Sequence, residues 1–182
     1  MQKLSDLFFV SSNIHKFKEV KTILESFNIS IQFFKLNLEE IQSNSIKEIA
    51  LKKAQDAFSK CKKPLIIEDD GLCIDSLDGF PGPYSSYVYE TIGNQGILNL
   101  LEKNRNAKFI STITYCDKKN LESFEGKLDG YISKSEKGNS WGYDPIFIPK
   151  NTKKTFAELI DKNNLSHRYK ALKKLSSWYL NK

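Results

Sequence analysis

Apolar residues follow two different spacings along the chain, and these spacings predict its first three elements. Short apolar runs at residues 7–10 and 29–36 are typical of strands, and the second run alternates apolar with polar positions. Between them, from Ile14 to Phe27, apolar residues recur every three or four positions, which predicts an amphipathic helix. The pattern is therefore strand, helix, strand.

Helical and strand spacing continue to alternate through the rest of the chain. The sequence from Ser45 has the S-x-x-E form of a capping box, which predicts a helix from there to about Lys60. Further elements are predicted at four places: helices at 94–103 and 166–180, and a long hairpin of strands at 108–116 and 121–133. This mixture predicts an α/β fold with a mixed sheet.

Two features inside these elements leave alternatives open. Gly126 and Gly130 interrupt the returning strand of the hairpin, which predicts either a bulge or a close approach by neighbouring backbone. Lys53 lies near the apolar stripe of the second helix, where its ammonium either reaches solvent or points into a site.

Composition fits a soluble globular protein of ordinary size. The 182 residues are 40% hydrophobic and 27% charged, which predicts a single domain over residues 1–182. Every apolar stretch is shorter than the roughly 20 residues of a membrane span. The N-terminal MQKLSDLFFVSSN lacks the longer apolar core and cleavage site of a signal peptide. We therefore expect a cytoplasmic protein without a membrane partner.

Net charge indicates the class of partner, and cysteine spacing indicates the state of the thiols. The net charge of +6 suits an anionic partner, either a nucleotide or a nucleic acid. Cys61, Cys73 and Cys116 are odd in number and widely spaced, with no C-x-x-C pair. They are expected to be reduced thiols, because neither a disulfide nor a zinc framework has this pattern.

The acidic stretch in the first half of the chain is the strongest candidate for chemistry. The apolar run at residues 65–67 leads into Glu68, Asp69 and Asp70, and a turn-rich loop follows at 79–83. Three adjacent carboxylates repel one another, and a cation relieves that repulsion. We predict that the strand ends at these acids and presents them to a metal ion or as a general base. An acidic surface turn is the alternative.

At two predicted helix starts the first turn carries cations, although the N-terminal end of a helix attracts anions. Residues 11–13 suit a tight turn and a helix cap, and Lys16 lies in the first turn of the helix that follows. Free backbone N–H groups at such a junction bind anions, so a phosphate site is predicted there. His167 and Arg168 lie in the first turn of the last helix, where a cation needs an anionic or carbonyl-rich partner.

Six segments, in order, resemble the inosine triphosphate pyrophosphatase family over nearly the whole chain. They are the S-S-N-I-H-K segment at 11–16, the lysine-bearing helix at 48–57, the acidic strand end at 68–75, the G-F-P-G-P-Y loop at 79–84, the W-G-Y-D-P-I-F segment at 141–147 and the S-H-R triplet at 166–168. The resemblance implies an elongated mixed sheet flanked by helices, with two lobes and a nucleotide cleft between them. Ser12 departs from the family, which mostly has glycine there. Asp70 falls at a position that the family varies, and no role is assigned to it.

The resemblance also implies a reaction and a set of residues. The reaction is hydrolysis of non-standard purine nucleoside triphosphates (ITP, dITP and XTP) to the nucleoside monophosphate and pyrophosphate, in a Mg²⁺-dependent homodimer. Asp69 is implied to be the general base that activates water for attack at the α-phosphorus, and it binds the metal together with Glu40. Glu68 is expected to point to the opposite strand face and to support the site. Substrate-binding residues are implied at Ser11, Asn13, Lys16, Lys53, Trp141, Asp144, Lys162, His167 and Arg168.

These substrate-binding residues divide by chemistry into two groups. Asn13, Lys16 and Lys53 suit the anionic triphosphate. Trp141 suits stacking on the purine, and Lys162, His167 and Arg168 are donors that suit its 6-oxo group.

Two other functions fit parts of the sequence. A related pyrophosphatase for modified pyrimidine nucleotides is the first, but the segment at 141–144 and the S-H-R triplet argue against it. A basic nucleic-acid-binding module is the second. Such a module interleaves basic and aromatic residues on one strand face, whereas the cations here are scattered and the acids are clustered. No nucleic-acid partner is therefore expected.

Overall fold

The computed structural model describes residues 7–182, which form a sheet covered by helices. The strands are β1 (Leu7–Ser11), β2 (Ile31–Lys35), β3 (Leu65–Ile74), β4 (Asn106–Cys116), β5 (Leu121–Ile132) and β6 (Phe147–Pro149). The helices are α1 (Ile14–Glu25), α2 (Ile46–Cys61), α3 (Ser85–Thr91), α4 (Gly93–Leu100) and α5 (His167–Leu180). Part of the N-terminal segment considered above, residues 1–6, lies outside the described residues.

The sheet is mixed, as predicted. Its strand order is β2–β1–β3–β4–β5–β6. β1 runs parallel to β2 and to β3, whereas β3, β4, β5 and β6 pair antiparallel in succession. Over the described range, every helix is too short or too polar to span a bilayer. The α/β prediction with a mixed sheet is therefore confirmed.

Three clusters of buried apolar side chains divide the molecule into two lobes. In the first lobe, one cluster lies between the sheet and helices α1 and α5, and includes Phe9 and Leu172. A second cluster lies on the other face beneath α2 and includes Ile67. The second lobe has its own cluster, which includes Leu72 and Phe109. Because β3 and β4 are long enough to enter both cores, the two lobes share these strands.

The predicted end of β3 at the acids is wrong, because the strand continues through them to Ile74. Glu68, Asp69 and Asp70 lie opposite residues 111–113 of β4, in unbroken antiparallel register. The ladder to β4 satisfies this stretch of backbone, while cations from three helices compensate the carboxylates. The sequence indicated the repulsion between the acids but not which side-chain cations compensate it.

The close-approach alternative for the two glycines is confirmed, and there is no bulge between β4 and β5, since their register runs without interruption. A Cβ atom on Gly126 would lie 2.1 Å from the carbonyl oxygen of His167, and one on Gly130 would lie 2.3 Å from that of Ile148. Gly126 therefore lets the first turn of α5 settle directly on the sheet.

The helix ends agree in part with the sequence signals. Ser45 caps α2 by accepting the N–H of Glu48 at 3.2 Å. The Glu48 carboxylate, however, accepts from the hydroxyl of Ser43 at 2.7 Å, and Ser43 also takes the N–H of Ser45. The capping box is thus completed through a neighbouring serine. The helix predicted at 94–103 begins at Gly93 and ends at Leu100, and α3 was not predicted.

Candidate active site

A cleft opens where β1 stops pairing with β3. The last pair between these strands joins Phe9 to Ile66. Among the described residues, the same edge of β3 is next bridged at Cys73, which pairs with Pro81. The edge between them, residues 67–71, borders a cleft of about 830 Å³. This volume lies within the roughly 300–1,000 Å³ typical of small-molecule sites.

Strand alternation sends the three acids to two different faces of the sheet. Successive side chains of a strand point to opposite faces, so Asp69 lies on one face while Glu68 and Asp70 lie on the other. Helix α2 packs on the face of Asp69, and helices α1 and α5 pack on the face of Glu68 and Asp70. The expected opposition of Glu68 and Asp69 is confirmed, and each face brings its own cations.

Asp69 is held by a lysine from α2. The Lys53 ammonium donates to Asp69 Oδ1 at 2.9 Å and to Glu40 Oε1 at 2.5 Å. It therefore points into the cleft, which decides between the two alternatives for Lys53. Burial raises the pKa of Asp69 to about 6, although Lys53 and Lys16 act to lower it. Asp69 Oδ2 is buried and has no hydrogen-bond partner.

Asp69 and Glu40 are suited to hold a hard cation together with a phosphate-bearing ligand. Their oxygens already converge on one positive group, the ammonium of Lys53. Residues 7–182 contain no group of three or more metal-type side chains. A cation there would need ligand or water oxygens to complete its shell, and Mg²⁺ is commonly bound in this way. The orphaned Asp69 Oδ2 gives such an ion a free ligand atom.

Arg168 lies at the centre of the other set of contacts, and its side chain is only 3% exposed. Its Nε donates to both carboxylate oxygens of Glu68 at 2.9 Å, and Nη2 donates to Asp70 Oδ2 at 2.8 Å. Its Nη1 donates to Glu19. Glu68 is itself fixed by the hydroxyl of Ser111 at 2.6 Å. Burial opposes the charge, but these carboxylates raise the pKa of Arg168 above its usual value.

Asp70 also contacts a lysine of α1. Lys16 Nζ donates to Asp70 Oδ1, and His167 Nε2 lies 3.8 Å from Asp70 Oδ2. Burial acts to raise the pKa of Asp70, but Lys16, His167 and Arg168 hold it well below its usual range. The His167 ring stacks on Phe109 at 4.5 Å, and neither of its nitrogens has a hydrogen-bond partner. Both nitrogens are buried, and the residue lines the cleft.

Trp141 forms an aromatic wall beside these charges. Its Nε1 donates to Glu19 Oε1 at 3.0 Å, and its ring lies 5.7 Å from the ring of His15 at an interplanar angle of 21°. The Arg168 Cζ and the Lys162 Nζ both lie 5.7 Å from the same indole. A flat aromatic surface flanked by cations is suited to stack a nucleobase.

Lys162 is positioned by two acids. Its ammonium contacts Glu19 at 2.6 Å and also donates to Asp144. Asp144 is buried and additionally accepts from the hydroxyl of Ser140 at 2.7 Å. Lys162 is the one predicted site residue that does not line the cleft, and its ammonium lies 5.7 Å from the Trp141 ring.

The junction between β1 and α1 differs from the expected anion site in one respect. Asn13 caps the helix, and its Oδ1 accepts the N–H groups of His15 at 2.9 Å and Lys16 at 3.2 Å. The hydroxyl of Ser11 accepts the N–H of Asn13 at 3.0 Å. Three N–H groups of the junction at which a phosphate site was predicted are therefore already satisfied. The predicted cap is confirmed.

The cleft gathers ten of the eleven predicted site residues from six separate segments: Ser11, Asn13, Lys16, Glu40, Lys53, Asp69, Trp141, Asp144, His167 and Arg168. Sequence reasoning missed Glu19, which joins Trp141, Lys162 and Arg168. A signal was present, because Glu19 follows Lys16 by three positions on one helix and so shares its face. It also missed His15 and Ser111, for which no local signal exists.

Known proteins resemble this chain over almost its whole length. The model of the Ham1 family matches residues 7–178. A dITP/XTP pyrophosphatase of Methanopyrus kandleri is 45% identical, covering 96% of this chain and 96% of that protein. Another dITP/XTP pyrophosphatase, of Pyrococcus horikoshii, is 44% identical and covers 94% and 95%.

Solved structures agree with the sequence relatives. A HAM1 protein from Coxiella burnetii superposes with a TM-score of 0.85 at 28% identity, covering 98% of this chain and all of that one. A nucleoside-triphosphatase / dITP/XTP pyrophosphatase from Mycobacterium abscessus gives a TM-score of 0.71 at 29% identity, with coverage of 93% and 97%.

Proposed function

The chain belongs to the Ham1 family, and we propose that it hydrolyses ITP, dITP and XTP to the nucleoside monophosphate and pyrophosphate. Family membership confirms the resemblance found in the sequence. One observation carries the proposal: a single cleft has paired acids and lysines at one end, and a tryptophan with a buried arginine at the other. These two ends match the two chemically different parts of a purine nucleoside triphosphate. The activity cleanses the nucleotide pool of non-standard purines.

The phosphate end of the cleft offers charge that the substrate can take over. Lys16 pairs with Asp70, and Lys53 pairs with Asp69. A triphosphate brings several negative charges, and its oxygens would compete with those carboxylates for the two ammonium groups. Asn13 and Ser11 lie at the start of α1, where the helix dipole adds to the attraction.

Asp69 is the group that activates water in this proposal. Its two oxygens allow one to accept a proton while the other contacts a cation. Water attacks the α-phosphorus, its proton passes to Asp69, and the bond from that phosphorus to the bridging oxygen breaks. The pyrophosphate leaves with the bond's electron pair, and Lys16 and Lys53 offset its growing charge.

We propose Mg²⁺ as the metal, held by Glu40 and Asp69. When bound, such an ion neutralises phosphate charge and makes a coordinated water more acidic. The free Oδ2 of Asp69 and the exposed carboxylate of Glu40 support this assignment. Lys53 would then move from the two carboxylates to a phosphate oxygen.

Base selection falls to the other end of the cleft. Trp141 would stack on the purine, and His167 and Arg168 would supply donors to a 6-oxo group. Lys162, which does not line the cleft, would act through its contacts with Glu19 and Asp144. Asp144 holds Lys162 in place. Adenine has an amino donor where hypoxanthine and xanthine have an oxygen, so it would leave the protein donors unpaired. Mismatches of this kind allow discrimination of about 10⁴ or more.

Pyrophosphate release across a nucleotide panel tests the proposed function. ITP, dITP and XTP are expected to be hydrolysed, and ATP, GTP and modified pyrimidine triphosphates to be poor substrates. Preference for a modified pyrimidine would favour the related pyrophosphatase instead. Salt-sensitive binding of nucleic acid without hydrolysis of ITP would favour the nucleic-acid-binding alternative.

Removing either phosphate-side charge should lower activity without unfolding the protein. Lys16→Met and Lys53→Met keep the aliphatic stem and delete the ammonium. We expect kcat/KM for ITP to fall about 10- to 100-fold, because each loses a charge-assisted contact to phosphate worth roughly 1.5–3 kcal/mol. Steady-state kinetics and thermal unfolding measure the two properties separately.

Neighbouring lysines provide the controls for these variants. Lys52→Met and Lys18→Met remove exposed ammonium groups from the same two helices, and both should leave kcat/KM within about twofold. If Lys16→Met or Lys53→Met instead lowers the unfolding temperature and spares kcat/KM, that lysine is structural.

Glu40→Gln tests the metal assignment. The variant keeps the shape of the side chain but removes a hard anionic ligand, so the Mg²⁺ concentration for half-maximal activity should rise about tenfold. Its ratio of ITP to ATP hydrolysis should not change. Glu39→Gln, an exposed neighbour, is the matched control. An unchanged Mg²⁺ requirement in Glu40→Gln would show that Glu40 is only a connector residue.

We propose a homodimer in the cytoplasm, built from one domain per chain. The exposed apolar side chains at residues 80–100 support self-association: Phe80, Tyr84, Tyr87, Tyr89, Ile92 and Leu100. The continuous sheet supports a single domain over residues 1–182, and three free cysteines support a reducing compartment. A solution mass near 20.9 kDa, the mass of one chain, would contradict the dimer.

A further inference from the structure

Asp70 lies where the phosphate end and the base end of the cleft meet. We propose that Asp70 is a positioning residue that couples these two ends, sharpening base selection while weakening affinity for the triphosphate. The inference rests on the proposed function, and it assigns a role to a residue for which the sequence indicated none.

The contacts of Asp70 reach residues of both ends with one carboxylate. Its Oδ1 accepts from Lys16, on the phosphate side. Its Oδ2 accepts from Arg168 Nη2 at 2.8 Å and lies 3.8 Å from His167 Nε2, on the base side. The side chain is 18% exposed and borders the cleft. A change of contacts at either end of the cleft therefore alters the surroundings of this one carboxylate.

On the base side, Asp70 completes the hold on Arg168. Glu68 accepts from Nε of the guanidinium, Glu19 accepts from Nη1 and Asp70 accepts from Nη2. A planar group held at three corners presents its remaining N–H donors in one fixed direction. Without the third contact the guanidinium is held by Glu68 and Glu19 alone, and a less constrained group of donors can adapt to more than one base edge. Asp70 therefore restricts the bases that Arg168 accepts.

On the phosphate side, the same carboxylate is unfavourable for binding. Asp70 is an anion in a cleft proposed to receive a polyanion, and it holds the ammonium of Lys16 that the phosphates need. Like charges in a partly buried site repel more strongly than in water. Removing the charge should therefore tighten phosphate binding. A residue that only maintained the fold would weaken binding and selection together, so the two effects separate the roles.

Asp70→Asn tests the coupling, because it keeps the shape and removes the charge. Inorganic tripolyphosphate, which has no base, serves as the probe of the phosphate end. Its inhibition constant should fall about three- to tenfold. At the same time the ratio of kcat/KM for ITP to that for ATP should fall about five- to thirtyfold, because Arg168 loses a charge-assisted contact.

Three further variants control for charge and folding. Asp70→Glu keeps the charge, so the inhibition constant of tripolyphosphate should stay near that of the unmodified protein. Asp70→Ser removes both charge and hydrogen-bond reach, and its ratio of ITP to ATP hydrolysis should fall at least as far as in Asp70→Asn. Glu90→Gln removes an exposed acid that borders the cleft and contacts Ser86, and it should leave that ratio unchanged.

The outcomes separate this inference from the proposed function. If the unmodified protein prefers ITP to ATP and Asp70→Asn keeps that preference, the coupling role is overturned and the function stands. A weaker hold on tripolyphosphate in both Asp70→Asn and Asp70→Ser also overturns it, because Asp70 would then support the cleft as a whole. An unmodified protein with no preference for ITP overturns the function and, with it, the inference.

Discussion

Asp69→Asn is expected to lower kcat for ITP by about 10² or more, the scale of general-base catalysis. Asparagine matches the shape of aspartate but accepts no proton and is a weaker metal ligand. Asp69 is suited to the role because it borders the cleft and its carboxylate has a second oxygen besides the Oδ2 assigned to the metal. The steady-state rate of hydrolysis at saturating ITP measures the loss of kcat. Turnover near that of the unmodified protein would remove Asp69 from the mechanism.

The same variant should fold at least as well as the unmodified protein at pH 7. Burial raises the pKa of Asp69 from 3.8 to about 6, so the folded state favours the protonated carboxyl. Stability is therefore lost as pH rises through this window, and the cost is fully present at pH 7. Asparagine carries no such cost. Asp129→Asn, on an exposed part of β5, is the control and should change neither turnover nor unfolding temperature.

Arg168→Lys is expected to reduce the ratio of kcat/KM for ITP to that for ATP by about 10- to 100-fold. Lysine keeps a positive charge among Glu68, Glu19 and Asp70 but cannot reproduce the planar fork of donors. This substitution is sharper than alanine, which would leave three carboxylates without their shared cation at a cost of several kcal/mol. ATP gains nothing from a donor aimed at an oxygen, so its hydrolysis should change little.

The chain offers a matched control for this variant. Its other arginine, Arg105, donates to the backbone oxygens of Ser133 at 2.7 Å and Leu101 at 3.0 Å, outside the cleft. Arg105→Lys should leave the ratio of ITP to ATP hydrolysis unchanged. Equal losses of both activities in Arg168→Lys would mean that Arg168 supports the cleft and does not read the base.

The charged side chains around the cleft pair with one another, which bears on every one of these substitutions. Lys16, Lys53, Lys162 and Arg168 each contact one or more carboxylates. A substrate bound there would therefore exchange one set of ion pairs for another. Variants that remove a single charge disturb a pair, and for that reason each is matched here with a control lysine, acid or arginine elsewhere.

Apolar spacing determined most of the regular structure, because that signal is local. The strand–helix–strand start, the long hairpin and the last helix all lie close to their predicted positions. Besides the unpredicted α3, the main departure was β3. Its continuation through Glu68, Asp69 and Asp70 depends on pairing with β4 and on cations from α1, α2 and α5, and none of these is near in sequence.

The sequence by itself determined the family and the identity of ten residues that line the cleft. The motifs and their order along the chain identify the family, and the resemblance to that family implies those residues. Only the tertiary structure decided how those residues are paired. Arg168 meets Glu68 across 100 positions, and Trp141 meets Glu19 across 122. In the sequence Asp70 is the third acid in a row, and it contacts Lys16 and Arg168 once α1 and α5 pack on the same face of the sheet. Such contacts follow from the packing of distant elements, for which spacing along one chain holds no local signal.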